Sequence, residues 1–125
     1  MQDLQPVVKY PLGTSMNTGK REIEDQIYEM QVRICKAFAN TTRLHILDLL
    51  GKREHGVSEL QRRLGVSKAN LSQHLAILRG AGVISTRREG QQIYCSLAIP
   101  EVKQACQLIR SVLRAQIRNG RKLAI

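Results

Sequence analysis

Aromatic side chains are nearly missing from this chain of 125 residues: it has no tryptophan, one phenylalanine and three tyrosines. Any core it builds must be aliphatic. Acidic residues are scarce as well, ten against twenty lysines and arginines, for a formal charge of +10. That excess favours a polyanion as partner, nucleic acid first and an anionic membrane surface second, with a generically basic surface as the plain alternative. No apolar run approaches the roughly 20 residues that cross a bilayer, so no membrane span is expected. The first twenty residues, MQDLQPVVKYPLGTSMNTGK, lack a basic start followed by an apolar stretch and do not read as a signal peptide. Cysteines occur only at 35, 95 and 106, odd in number and far apart. They make no disulfide framework, and a reducing cytoplasm is the expected home. There is no phosphate-cradling glycine loop, no paired carboxylates in a cleft pattern and no Cys-x-x-Cys, so neither an enzyme nor a cofactor is expected.

What the chain does have is aliphatic periodicity. Hydrophobic residues make up 42% of the chain, and the length suits one domain with a further apolar face left for a partner subunit. Residues 1–20 hold Pro6, Pro11, Gly13 and Gly19 with no period and read as a loose arm. From Arg21 to Ala39, Ile23, Ile27, Met30, Ile34, Ala37 and Phe38 recur at steps of three and four, which predicts one helix with a broad apolar stripe. Thr41 or Thr42 is the expected cap of a second helix, in which Leu44, Ile46, Leu47, Leu49 and Leu50 are apolar on most sides and Gly51 is the stop.

Ser58 to Leu64 predicts a short helix with Leu60 and Leu64 inward, stopped by a left-handed Gly65. Ser67 is the expected N-cap of the next helix, which runs to about Arg79 with Leu71, Leu75 and Leu78 on its core side. VISTRR and QQIYCSL read as two strands around a turn at Glu89-Gly90, with Ile93, Cys95 and Leu97 on one face. Pro100 opens a last helix whose stripe is Val102, Ala105, Ile109, Val112, Leu113 and Ile117, beside a basic ridge of Arg110, Arg114 and Arg118. Residues 119–125 read as a frayed tail. The order of elements predicts a mainly α winged helix–turn–helix over residues 21–118, with a small β-hairpin.

A helix that opens on small polar side chains can enter the major groove, about 12 Å wide, and meet base edges with its N-terminal residues. Lys68 can donate to guanine, Asn70 and Gln73 can each pair with adenine, and Ser67 and Ser72 can bond phosphate or base; the alternative is an ordinary solvated face. His74 is read either as a base contact or as a half-buried histidine bonded to backbone. Arg87 and Arg88, with Gln91 after the turn, can reach phosphates or a minor groove, or can serve as a charged edge. His45 and Asp48 stand three apart on one helix, without a visible third metal ligand. His55 is read as a loop residue.

Two stretches go further. KAFANTTRLHILDLL, then VSELQRRLGVSKANLSQHLAILRGAGVISTRREGQQIYCSL, closely resemble the ArsR/SmtB family of bacterial transcriptional repressors over about residues 34–98, with Thr41 where proline is usual. The resemblance implies a homodimer built from the first and last helices, repression by binding a double-stranded DNA operator, and release by a small inducer. The departures bear on the inducer. The Cys-x-Cys segment of many metal-sensing members is replaced by HGVSEL, the last helix offers Glu101 and Cys106 but no His or Asp, and Asp48 stands where redox members carry a cysteine.

Cys35 and Cys106, on the two expected interface helices, remain as candidate sensor thiols, with Cys95 a lesser one. They would bind a soft ion such as As(III), link through an oxidant or persulfide, or simply pack. Arg33, Lys36 and Lys103 would lower the thiol pKa values if close in space. Beside the repressor stand two other readings, a winged-helix protein–protein module and a DNA-binding protein without an inducer.

Overall fold

Eight elements follow one another in residues 18–120, the part of the chain that a computed structural model describes: α1 (Thr18–Phe38), α2 (Thr41–Lys52), β1 (His55–Gly56), α3 (Val57–Leu64), α4 (Lys68–Gly80), β2 (Ile84–Glu89), β3 (Gln92–Leu97) and α5 (Glu101–Arg118). The expected arm and tail lie outside the described residues except for 18–20 and 119–120, and residues 18–20 belong to α1 rather than to an arm. The chain divides into two compact units between Arg33 and Ile34, inside α1.

In the first unit, residues 18–33 are helical, and Ile23, Ile27 and Met30 of the stripe are exposed, as is Val32 outside it. The second unit, from Ile34 onward, holds the core: Ala37, Ile46, Leu47, Leu50, Leu60, Leu71, Leu75, Leu78, Val83, Ile84, Cys95 and Val102. It is aliphatic, as the composition requires, and Phe38 packs against it only partly buried.

Local chemistry sets the boundaries. Asn40, not a threonine, caps α2: its backbone is extended and its side chain accepts from the N–H of Arg43 at 3.0 Å. An asparagine oxygen satisfies a free N–H of the first turn as well as a hydroxyl does, and Asn40 stands one residue earlier. Gly51 lies inside α2, which runs on to Lys52. Gly65 closes α3 at φ 66°, a left-handed angle that a side chain would disfavour, and its N–H bonds the carbonyl of Gln61. Ser67 then caps α4, accepting from the N–H of Asn70 at 3.0 Å.

The wing is larger than a hairpin. β2 and β3 pair antiparallel with Glu89 opposite Gln92, so the two-residue turn is Gly90-Gln91, one residue later than expected, with Gly90 at φ 63°. β1 adds a third strand on the far side of β3, pairing His55 with Cys95 and Gly56 with Tyr94. His55 is therefore not a loop residue. It is buried, and its Nδ1 lies 2.8 Å from the carbonyl oxygen of Arg53. Two residues carry no alternation, so the strand had no sequence signal.

Candidate nucleic-acid interface

α4 has two unlike sides. Leu71, Leu75 and Leu78 are buried, while Lys68, Asn70, Ser72 and Gln73 are exposed, as is Ser67 at the cap. No acidic residue stands in the first turn of α4. Its positive dipole end and Lys68 thus face outward together, which suits phosphate or the electronegative edge of guanine.

His74 sits at the margin of the two sides, partly buried, and among the described residues it meets a side chain and not backbone: Arg43 Nη1 lies 3.1 Å from its Nδ1. Burial first, and the Arg43 charge second, hold its pKa below the ordinary histidine value. Arg43 is anchored in turn. Its Nε donates to the carbonyl of Ala37 at 2.8 Å and its Nη2 to that of Lys36 at 3.2 Å, both in the last turn of α1. Sequence reading passed over Arg43, because its spacing does not distinguish an inward-donating arginine from a solvated one.

On the wing, two adjacent arginines differ. Arg87 is fully engaged. Its Nε and Nη2 donate to the two oxygens of Glu54 at 2.9 and 2.8 Å, its Nη1 donates to Glu89 at 3.0 Å, and its guanidinium lies 4.6 Å from the centre of the Tyr94 ring. Arg88, opposite Ile93 in the register, has no ion pair among the described residues, and Gln91 is exposed in the turn. Glu54 was also missed, since it meets Arg87 across 33 residues of sequence. A second cluster fastens the same connection to α3. Glu59 takes Arg53 at 2.6 Å and Arg63 at 3.2 Å, and the Arg53 hydrogen bond holds its carboxyl down to about 2.

The three thiols are separate in character. Cys35 is exposed, Cys95 is wholly buried, and Cys106 is intermediate. Cys106 lines a cleft of about 210 Å3 between α2 and α5, together with Asp48, Lys52, Lys103 and Arg110. Asp48 pairs there with Arg110 at 3.3 Å, which takes that arginine out of the expected basic ridge. Burial pushes the Cys106 thiol up, Arg110 opposes and Asp48 adds, so the net direction is the reverse of the lowering that cations close in space would give. Among the described residues no three His, Cys, Asp or Glu side chains converge as metal ligands, and no helix is long and apolar enough to cross a membrane.

A helix pair hinged at a left-handed glycine, an outward-facing polar second helix and a β-wing beside it define a winged helix–turn–helix transcriptional regulator. The model of the bacterial regulatory proteins of the arsR family matches residues 40–86. The transcriptional activator HlyU of Vibrio cholerae is 41% identical over 100 residues, 80% of this chain and 90% of its own length. The HTH-type transcriptional regulator Rv0081 of Mycobacterium tuberculosis is 36% identical over 90 residues, 71% of this chain and 79% of its own. Its crystal structure matches with a TM-score of 0.69 over 74% of this chain and 94% of that one. The solution structure of Mb0332 of Mycobacterium bovis, a homodimeric winged helix-turn-helix DNA-binding domain, matches at 26% identity and a TM-score of 0.69, covering 92% of this chain and 100% of that one. The protein belongs to the arsR family of bacterial regulatory proteins.

Proposed function

We propose that this protein is a homodimeric repressor that binds a double-stranded DNA operator and leaves it when an inducer binds. The observation that carries the reading is the division of α4, with Ser67, Lys68, Asn70, Ser72 and Gln73 outward and three leucines inward, on a chain of net charge +10. Lys68, Asn70, Ser72 and Gln73 read the major groove, with His74 at the edge of that set. Arg88 and Gln91 meet the backbone from the wing. Arg87 contributes chiefly by pinning the wing to Glu54. The dimer is supported by the exposed apolar stripes of α1 and α5, which a second copy would cover, and by the homodimeric Mb0332 domain. Of the thiols, Cys35 is the most exposed in the single chain and Cys106 is partly exposed in its cleft, so these two are the candidates for a thiol-based inducer. A second reading, activation, draws on the name of HlyU.

The test is a titration of duplex DNA from upstream of the protein's own gene at several salt concentrations. Each neutralised phosphate adds about −0.9 to the slope of log K against log salt. A slope near zero would sink the reading and favour a protein–protein module. Equal affinity for unrelated duplexes would point to a DNA-binding protein without an operator. Arg88→Gln, which removes one phosphate contact from each protomer of the dimer, is expected to flatten the slope by about 1.8 and Arg87→Gln to leave it unchanged. Repeating the titration after arsenite, persulfide or peroxide treatment, with Cys35→Ser and Cys106→Ser beside it, tests the inducer. A reporter under that upstream DNA separates repression from activation.

A further inference from the structure

Arg43 makes a contact with a chemical consequence for α4. A guanidinium has five N–H donors, no acceptor, and keeps its proton at any ordinary pH. The histidine atom facing it must therefore accept. Nδ1 of His74 lies 3.1 Å from Arg43 Nη1, so the ring proton of a neutral His74 belongs on Nε2. The other tautomer, or the imidazolium, would set N–H against N–H. The arginine cannot easily turn aside, because Nε and Nη2 are held by the carbonyls of Ala37 and Lys36. Carbonyls in the last turn of a helix have no partner within it, so this side chain satisfies the end of α1 while it faces α4. The ring is partly exposed, three residues after Leu71 and four after Asn70, beside the outward polar set.

We propose that Arg43 is a positioning residue for DNA recognition: it holds His74 in the neutral, Nε2-protonated tautomer, so that His74 meets DNA as an N–H donor to an acceptor atom and not as a cation. The DNA half rests on the reading of α4 given above. The tautomer half stands without it.

Long-range proton–nitrogen correlation spectra of the full chain, labelled with 15N-histidine, decide the tautomer. Three histidines give three patterns, and His74→Asn identifies the one sought. The expected pattern is Nε2–H at neutral pH, changing to a mixture of tautomers in Arg43→Met. An Nδ1–H or imidazolium pattern in the unaltered protein overturns the proposal, and that spectrum decides even if Arg43→Met fails to fold. An unchanged pattern in a folded Arg43→Met overturns it too. For the DNA half, the probe is the upstream duplex. His74→Phe, which keeps a ring and loses the N–H, is expected to weaken binding by about thirtyfold, since the dimer loses two neutral hydrogen bonds. His74→Asn, which can accept from Arg43 and still donate, is expected to recover most of that loss. His74→Phe binding as tightly as the unaltered protein overturns the donor role. An unaltered protein that ignores the duplex at low salt defeats the reading of α4, and the donor role with it, while the spectra still judge the tautomer.

Discussion

Helices α4 and α5 follow one plan and meet opposite fates. Each repeats aliphatic residues at steps of three and four, with polar side chains between. In α4 the stripe is gone from the surface: Leu71, Leu75 and Leu78 are 1%, 6% and 0% exposed. In α5 Ile109, Val112, Leu113 and Ile117 are 53%, 54%, 47% and 48% exposed, and only Val102 in the first turn joins the core. Periodicity therefore announces a face and leaves its partner unnamed. The α4 face is satisfied within the chain. A contiguous half-exposed aliphatic row such as that of α5 gains by association, at roughly 25 cal/mol for each Å2 it removes from water.

The contrast can be broken at several points. Leu78→Ala, inside the core, should lower stability by about 2–5 kcal/mol in urea unfolding, to the same extent at every protein concentration. A cost under ~1 kcal/mol would mean that α4 is not the inner helix described here. Leu113→Asp should leave the fold of each chain intact, convert the protein to monomer in sedimentation, and abolish any rise of Tm with concentration. An unchanged sedimenting species would remove α5 from the interface.

Asn40→Ala, away from both faces, should cost about 1 kcal/mol through the lost cap, independent of concentration. It calibrates a purely local term against the other two. The smallest effect is that of pH. His74 on α4 has a folded pKa below its unfolded value of about 6.5. Its favourable contribution is thus complete above pH 6.5 and is lost as pH falls below that value, because the unfolded chain takes up the proton first. α5 carries no histidine and should add no slope there. Unfolding measured between pH 7 and 5 should show a decline that His74→Gln flattens.

Much of this was legible beforehand, for reasons tied to particular residues. Gly65 and Ser67 each had a local job, a left-handed stop and a cap, and local jobs can be read from one stretch of chain. Leu71, Leu75 and Leu78 declared the core side of α4 by spacing alone. The strand pair was also visible, with its turn misplaced by one residue because glycine fits either position of a short turn. Long-range polar pairs were invisible. Nothing in the sequence ties Glu54 to Arg87 or Arg43 to His74, since a charged side chain meets its partner only after the backbone has folded. The same limit hid β1, whose two residues become a strand only because β3 lies beside them.

Tyr94 under the Arg87 guanidinium has a practical consequence. In most proteins tryptophan drowns the weaker emission of tyrosine, and this chain has none. With Tyr10 and Tyr28 changed to phenylalanine, Tyr94 would be the sole fluorophore, with a charged group stacked on it at 4.6 Å. Anything that lifts Arg87 from the ring, whether loss of Glu54 or docking of the wing, would alter its light. The protein thus carries its own optical gauge of the wing, readable without attaching a dye.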